Sequence, residues 1–124
     1  MQNQSTSAEE LGRCPIFAPL APERLTELAE RMTREEVEVG AVPVIERQRG
    51  DRFYIVLEGV LAVSNLGARE RLRNLRQGDY FGELALIRDA PRAATVHALT
   101  PTTLASCDRP TFDEFVRPLF PSQS

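Results

Sequence analysis

The sequence predicts a mainly β chain with flanking helices: an antiparallel β-barrel or jelly roll carrying a short N-terminal helical bundle, one inserted helix and a short C-terminal helix. Three observations predict it. Gly40, Gly50, Gly59, Gly67 and Gly78 punctuate the middle of the chain every 8 to 11 residues, the spacing of short antiparallel strands joined by turns. The runs between them alternate apolar and polar side chains or are β-like in composition. Before Arg34 and after Thr111 the apolar period lengthens to that of a helix.

The elements follow in order. Ser7-Ala-Glu-Glu10 is a capping box, which favours a turn or two of helix into Leu11 and Gly12. Ile16, Phe17 and Leu20 lie in a Pro-interrupted stretch and tuck against the body. Pro22 pre-sets the first turn of a second helix, and Glu23 suits its positively polarised end. Leu25, Leu28, Ala29 and Met32 give that helix one apolar face. Strands are expected over Glu36–Val39, Arg52–Leu57, Val60–Asn65, Glu70–Leu75, Thr95–Leu99 and Thr103–Cys107. Val42–Ile45 is expected as an edge strand, because Pro43 has no N–H to give a ladder. A second capping box, Thr111-Phe-Asp-Glu114, starts a helix with Phe112, Phe115, Val116 and Leu119 on one face, limited by Pro118 and Pro121. The expected organisation is a disordered polar leader over 1–8, one domain over 9–120, and a tail over 121–124.

Composition narrows the function. The chain of 124 residues carries 15 basic and 18 acidic side chains, a net charge of −3, and every basic residue is arginine. That balance argues against direct nucleic-acid binding, which usually shows a basic excess on one face. Without lysine there is neither Schiff-base chemistry nor a P-loop lysine. One histidine, His97, and two cysteines, Cys14 and Cys107, do not assemble a four-ligand N/S zinc site, nor the metal cluster of a cupin-type enzyme. The expectation is a non-enzymatic chain without a metal. No apolar run reaches the ~18 residues of a membrane span, and the reading taken is a reduced, cytoplasmic protein. Cys107, in Leu-Ala-Ser-Cys, reads as a small buried hydrophobe. The wealth of arginine, alanine and proline without lysine hints at a GC-rich bacterial genome.

The informative stretch runs from Gly78 to Val96. Phe81-Gly-Glu-Leu-Ala-Leu-Ile87 breaks the strand alternation and reads as one or two helical turns entered through a glycine. Exposed N–H groups at such a start favour an anion. Pro91 then fixes a turn, and the guanidinium of Arg92 is suited to grip a phosphate bidentately. A carboxylate beside a phosphate would repel it, so Glu83 makes sense as an acceptor for a sugar hydroxyl. Together these residues suit a ligand with one phosphate charge and a sugar hydroxyl.

The stretch resembles the phosphate-binding cassette of cyclic nucleotide-binding domains, most closely that of cyclic-AMP-dependent protein kinase regulatory subunits; catabolite-activator-like sensors share the fold. Phe81-Gly-Glu-Leu-Ala-Leu86 and Pro91-Arg-Ala-Ala-Thr-Val96 carry the likeness, with Gly50-Asp-Arg-Phe-Tyr-Ile-Val-Leu-Glu-Gly59 and Cys14-Pro-Ile-Phe17 upstream. It covers roughly residues 11–117. The resemblance implies a ligand site of Phe81, Gly82, Glu83, Leu84, Ala85, Arg92, Ala93 and Ala94. Amides of Gly82, Leu84 and Ala85 face the phosphate, Glu83 bonds the ribose 2′-hydroxyl, Arg92 pairs with the cyclic phosphate, and Ala93 and Ala94 line the pocket through their backbone. Ala93 lacks the hydroxyl that often accompanies cyclic GMP preference, so cyclic AMP is the expected ligand. Arg47 and Pro43 depart from the family pattern. So does the early end of the terminal helix, which leaves Phe120, a further segment, a partner or water to meet the base.

Each residue also has a plainer reading. Arg92 could form a structural ion pair with Glu83 or Asp89, and Glu83 could serve only as a favourable charge at a helix start. His97 reads as a strand residue. Arg69, Arg71, Arg73 and Arg76 fall at or near period two on a hairpin, as a solvated face or a surface for an acidic partner. The expected function is a sensor that binds cyclic AMP and reports to an unidentified effector domain or protein. The alternative is a degenerate module that mediates protein–protein interaction without ligand.

Overall fold

The structure, a computed structural model, describes residues 6–43, 50–65, 70–88 and 94–120, with backbone alone for residues 65 and 70–72. Helix α1 (Ala8–Gly12) starts from Ser7, whose hydroxyl accepts from the Glu10 amide while the Glu10 carboxylate accepts from the Ser7 amide. Ser7 and Ala8 therefore belong to the folded body rather than to the polar leader. A 3₁₀ turn (Pro15–Phe17) follows, then α2 (Pro22–Arg31), which opens on Pro22 and buries Leu28 and Ala29 with Met32 at its end.

Among the described residues seven antiparallel strands form two sheets. They are β1 (Thr33–Val37), β2 (Arg52–Glu58), β3 (Leu61–Asn65), β4 (Glu70–Leu75), β5 (Tyr80–Phe81), β6 (Thr95–Ala98) and β7 (Thr102–Asp108). One sheet has the order β1-β7-β2-β5 and the other β4-β3-β6. Alternation along β2 divides the interior. Phe53, Ile55 and Leu57 join the helices in one core, whereas Tyr54 and Val56 join Leu61, Val63, Leu75 and Val96 in a second, between the sheets. On β7, Ala105 and Cys107 face the helical side and Leu104 faces the inner one.

The β2–β3 turn depends on Gly59. Its φ is +104°, and a Cβ there would stand 2.7 Å from the Pro101 carbonyl oxygen and 2.8 Å from Thr102 Cα. The neighbouring Val60 is tied to the same segment, its amide donating to Thr100 Oγ1 at 3.0 Å and its carbonyl accepting from Leu99 at 2.8 Å.

Four features differ from the sequence-based expectation. The first strand occupies Thr33–Val37 rather than 36–39, because its partner β7 pairs Thr33 with Ser106 through Val37 with Thr102. The chain then turns: the Ala41 amide donates to Glu38, and Gly40 and Ala41 exchange bonds with Ala98. Ala41–Pro43 are accordingly irregular rather than an edge strand, and the rest of that expected strand lies outside the described residues. Tyr80–Phe81 forms an additional strand on β2. The last helix begins earlier than Thr111. Asp108 is its cap, accepting from the Thr111 amide at 3.0 Å, and Pro110 occupies a first-turn position where no N–H is needed. This helix, α4 (Arg109–Thr111), widens into a π-helical turn (Phe112–Val116) and tightens into a 3₁₀ turn (Arg117–Leu119). The apolar stripe behaves as expected: Phe112, Phe115 and Val116 are buried and Leu119 packs beside them.

Polar contacts weld the termini to the barrel. Arg34 grips both carboxylate oxygens of Glu10 at 2.8 and 2.7 Å. Glu114 takes bonds from Arg31 at 2.8 Å and Arg24 at 3.4 Å, and both guanidiniums sit over the Phe115 ring. Cys14 and Cys107 are free and buried, with burial pushing their thiols up to about 11 and about 12. Both act as apolar side chains.

Candidate functional site

The 76–79 turn aims the chain at the site. Its Gly78 amide donates to Val56, and Val56 in turn donates to the Asp79 carbonyl, at 2.9 and 2.8 Å. These bonds pin the start of β5 to the middle of β2. Tyr80 and Phe81 then point to opposite sides, as strand residues must. Tyr80 packs on the helical side, 5.8 Å from Phe53 between ring centroids. Phe81 enters the inner core and stacks on Tyr54 at 4.8 Å, nearly parallel at 9°.

Directly after this anchor the backbone reverses. Gly82 takes φ +93°, ψ −7°, a left-handed conformation that costs an L side chain roughly 1–2 kcal/mol. From it springs α3 (Glu83–Ile87), the inserted helix expected from the sequence. Ala85 and Leu86 are buried, and Leu86 lies in the helix-side core. Leu84 faces outward with 45% of its surface exposed. Glu83, half-buried in the first turn, carries its charge where the helix dipole favours it. Burial raises the Tyr80 phenol first, and the carboxylates of Glu83 and Asp79 raise it further against an opposing pull from Arg73. Glu83 thus lies within electrostatic reach of Tyr80.

Six of the eight expected site residues are described; Arg92 and Ala93 lie outside the described residues, as do Pro91, Asp89 and Arg47. Phe81 and Ala94 meet at the same inner core, Phe81 buried within it and Ala94 packed against it. Phe81, just before Gly82, and Ala94 are therefore both anchored to the barrel interior. Phe120 is elsewhere. Its ring stands edge-on to Tyr80 at 5.5 Å and 6.3 Å from Phe112, on the helical side, so it does not cover the inner face in this structure.

Sequence reasoning missed two residues tied to α3. Arg109 Nη1 and Arg117 Nη2 both donate to the Leu86 carbonyl, at 3.1 and 2.9 Å. Two guanidiniums thus meet the negative end of the short helix. Arg117 also bonds Asp113 at 2.9 Å and lies 5.6 Å from the Phe112 ring centroid. The available signal was two arginines, one before and one within the terminal apolar stripe.

The family model of the cyclic nucleotide-binding domain matches residues 34–118. The chain belongs to this family. The cyclic nucleotide-binding domain here is 37% identical over 109 residues to a cAMP-dependent protein kinase regulatory subunit of Yarrowia lipolytica, covering 88% of this chain but 29% of that protein. It is similar to the regulatory domain of Toxoplasma gondii PKA solved with cAMP, with a TM-score of 0.83, 31% identity, and coverage of 90% and 44% of the two chains. It is also similar to the regulatory subunit of a cAMP-independent protein kinase A from Trypanosoma brucei, with a TM-score of 0.85, 26% identity, and coverage of 90% and 41%. These relatives are fungal and protozoan and lend no support to the bacterial origin that composition suggested. Among the described residues no helix is long and apolar enough to cross a membrane.

Proposed function

We propose that this domain binds a cyclic nucleotide, cyclic AMP in preference to cyclic GMP, and acts as a non-catalytic sensor. The observation that carries the reading is the α3 segment itself. It is entered through a left-handed Gly82 and fastened to the inner core by Phe81 and Ala94. The amides of Gly82, Leu84 and Ala85 receive the phosphate, Arg92 answers its charge, Glu83 accepts from the ribose 2′-hydroxyl, and Ala93 and Ala94 line the pocket. The cAMP-bound Toxoplasma gondii relative supports this ligand class.

Signal transfer follows from what α3 touches. A ligand drawing α3 toward the barrel changes the position of the Leu86 carbonyl, and with it the seat of Arg109 and Arg117 on the terminal segment. Such a change requires different ligand affinity for the two arrangements. The listener is an effector domain or protein in contact with that segment.

Titration calorimetry of the chain with cyclic AMP and cyclic GMP tests the reading. Arg92→Ala is expected to cost ~2–5 kcal/mol of binding, because the phosphate loses its charged partner. Unchanged affinity would remove Arg92 from the site. A second reading, a domain of the same shape that ignores cyclic AMP, is favoured by the likeness to the cAMP-independent Trypanosoma brucei subunit. Cyclic AMP at ~100 times its Kd adds ~2.7 kcal/mol to a protein that binds it specifically. Absence of any stabilisation would decide for the second reading.

A further inference from the structure

Of the chain's six phenylalanines and two tyrosines, Phe53, Tyr80, Phe112 and Phe120 form a closed circuit on the helical side. Phe53 meets Tyr80 at 5.8 Å between ring centroids, and Tyr80 meets Phe120 edge-on at 5.5 Å. Phe120 meets Phe112 at 6.3 Å, and Phe112 returns to Phe53 at 5.2 Å. Phe53 and Phe112 are wholly buried, whereas Tyr80 and Phe120 are partly buried and form the outer half of the circuit. Rings paired at these separations attract one another beyond the area they bury, so each constrains two others.

The outer half joins the terminal segment to the approach of the ligand segment. Tyr80 stands just ahead of Phe81 and Gly82, on a strand only two residues long. So short a ladder, pairing Tyr54 with Phe81 and Ile55 with Tyr80, leaves much of the placement of β5 to its side chains. Phe81 is seated on Tyr54 inside the barrel, and Tyr80 on Phe53 and Phe120 on the helical side. Phe120 is brought there by the 3₁₀ turn Arg117–Leu119. Its amide closes that turn on the Arg117 carbonyl at 3.1 Å, and its own backbone is extended at φ −92°, ψ 146°. The terminal segment therefore touches the ligand segment twice, at the Leu86 carbonyl near the end of α3 and at Tyr80 before Gly82. Bonds at the far end of α3 do not fix its start, because Gly82 has no Cβ to restrict rotation there.

We propose that Phe120 is a positioning residue for the ligand site and acts on it from behind. Through Tyr80 it holds β5, and with β5 the Gly82 amide and the Glu83 carboxylate, in one orientation toward the barrel. Holding these groups in place before the ligand arrives lowers the cost of ordering them on binding. Phe120 does this from the helical side and not as a cover over the base. The gain in affinity rests on the cyclic nucleotide site proposed above; the hold on Gly82 does not.

The test is a double-variant cycle in the full chain, titrated calorimetrically with cyclic AMP. Phe120→Leu keeps an apolar side chain but removes the ring, and is expected to raise Kd about threefold or more, the scale an edge-on aromatic pair supports. Phe120→Tyr keeps the ring and is expected to bind as the parent does. Tyr80→Leu should weaken binding like Phe120→Leu, and the double variant no further, since both substitutions break one contact. Losses that add would show Phe120 acting independently of Tyr80, as a cover over the base would, and overturn the proposal. Amide hydrogen exchange without nucleotide gives a second measurement. Phe120→Leu is expected to speed exchange at Phe81, Gly82 and Glu83 about threefold or more while leaving Ala62 and Val63 on β3 unchanged. No change at Phe81–Glu83, or the same acceleration at β3, overturns the proposal. A chain that binds no cyclic nucleotide would end the proposed ligand site and leave the exchange result to decide this one.

Discussion

Replacing Arg117 with alanine tests how strongly the terminal segment is tied to α3. The side chain makes three contacts. Its bond to the Leu86 carbonyl at 2.9 Å is part-buried, and hydrogen bonds to charged groups contribute roughly 1.5–3 kcal/mol. Arg117 is 39% exposed and the same oxygen keeps Arg109, so about 1 kcal/mol is the discounted share. The i,i+4 pair with Asp113 adds about 0.3–0.5 kcal/mol. The cation over Phe112 adds about 0.5 kcal/mol. Arg117→Ala is therefore expected to lower unfolding free energy by about 2 kcal/mol, read from urea denaturation with an unchanged slope. Asp113→Ala removes only the exposed pair and should cost about 0.5 kcal/mol. Arg117→Lys keeps the charge but has no planar fork to serve Asp113 and Leu86 together, so it should fall between the two. If Arg117→Ala costs no more than Asp113→Ala, the carbonyl contact is not holding the segment and the coupling route drawn from it fails.

Two further outcomes follow from the packing and the charges. Gly59→Ala should cost about 3 kcal/mol, since it forces a side chain into positive φ and against the Pro101–Thr102 backbone. Gly40→Ala, at φ +87° with open space around it, should cost only about 1 kcal/mol in the same urea assay; equal costs would refute the close approach. For Glu10, burial raises the carboxyl, but the Arg34 hydrogen bond, the Ser7 amide and the Arg34 charge outweigh it and hold the folded value below 4.5. A depressed folded value stabilises above the unfolded value, and that stability is lost as pH falls through the folded one. Stability should therefore drop below about pH 4.5, and Glu10→Gln should flatten that drop; parallel profiles would show that the pair contributes nothing.

The sequence made the local elements legible wherever a residue acts on its immediate neighbours. Ser7 with Glu10 and Pro22 at a helix start work within one turn, and the glycine spacing reports turns whichever strands they join. The capping-box pattern at Thr111 sets the start of the last helix three residues too late, because only the run of β7 through Asp108 makes that residue the cap, with Pro110 in the first turn. Tyr80–Phe81 is too short for periodicity to detect, and exists because β2 offers it a partner.

By itself the sequence determined the fold class, the position of α3 and the residue types that suit a phosphate and a sugar hydroxyl, because capping, turn chemistry and alternation are short-range physics. Tertiary structure alone decided which face each aromatic serves. Phe81 faces inward and Tyr80 outward, while Phe120 is seated with Tyr80 rather than over the inner face. It also decided that Arg109 and Arg117, more than twenty residues beyond Leu86, meet its carbonyl, and that β1 is left at an edge. Contacts between distant segments depend on how two sheets and a helical layer share one interior. A linear pattern fixes which side chains want burial, but not which partners the closed barrel brings to them.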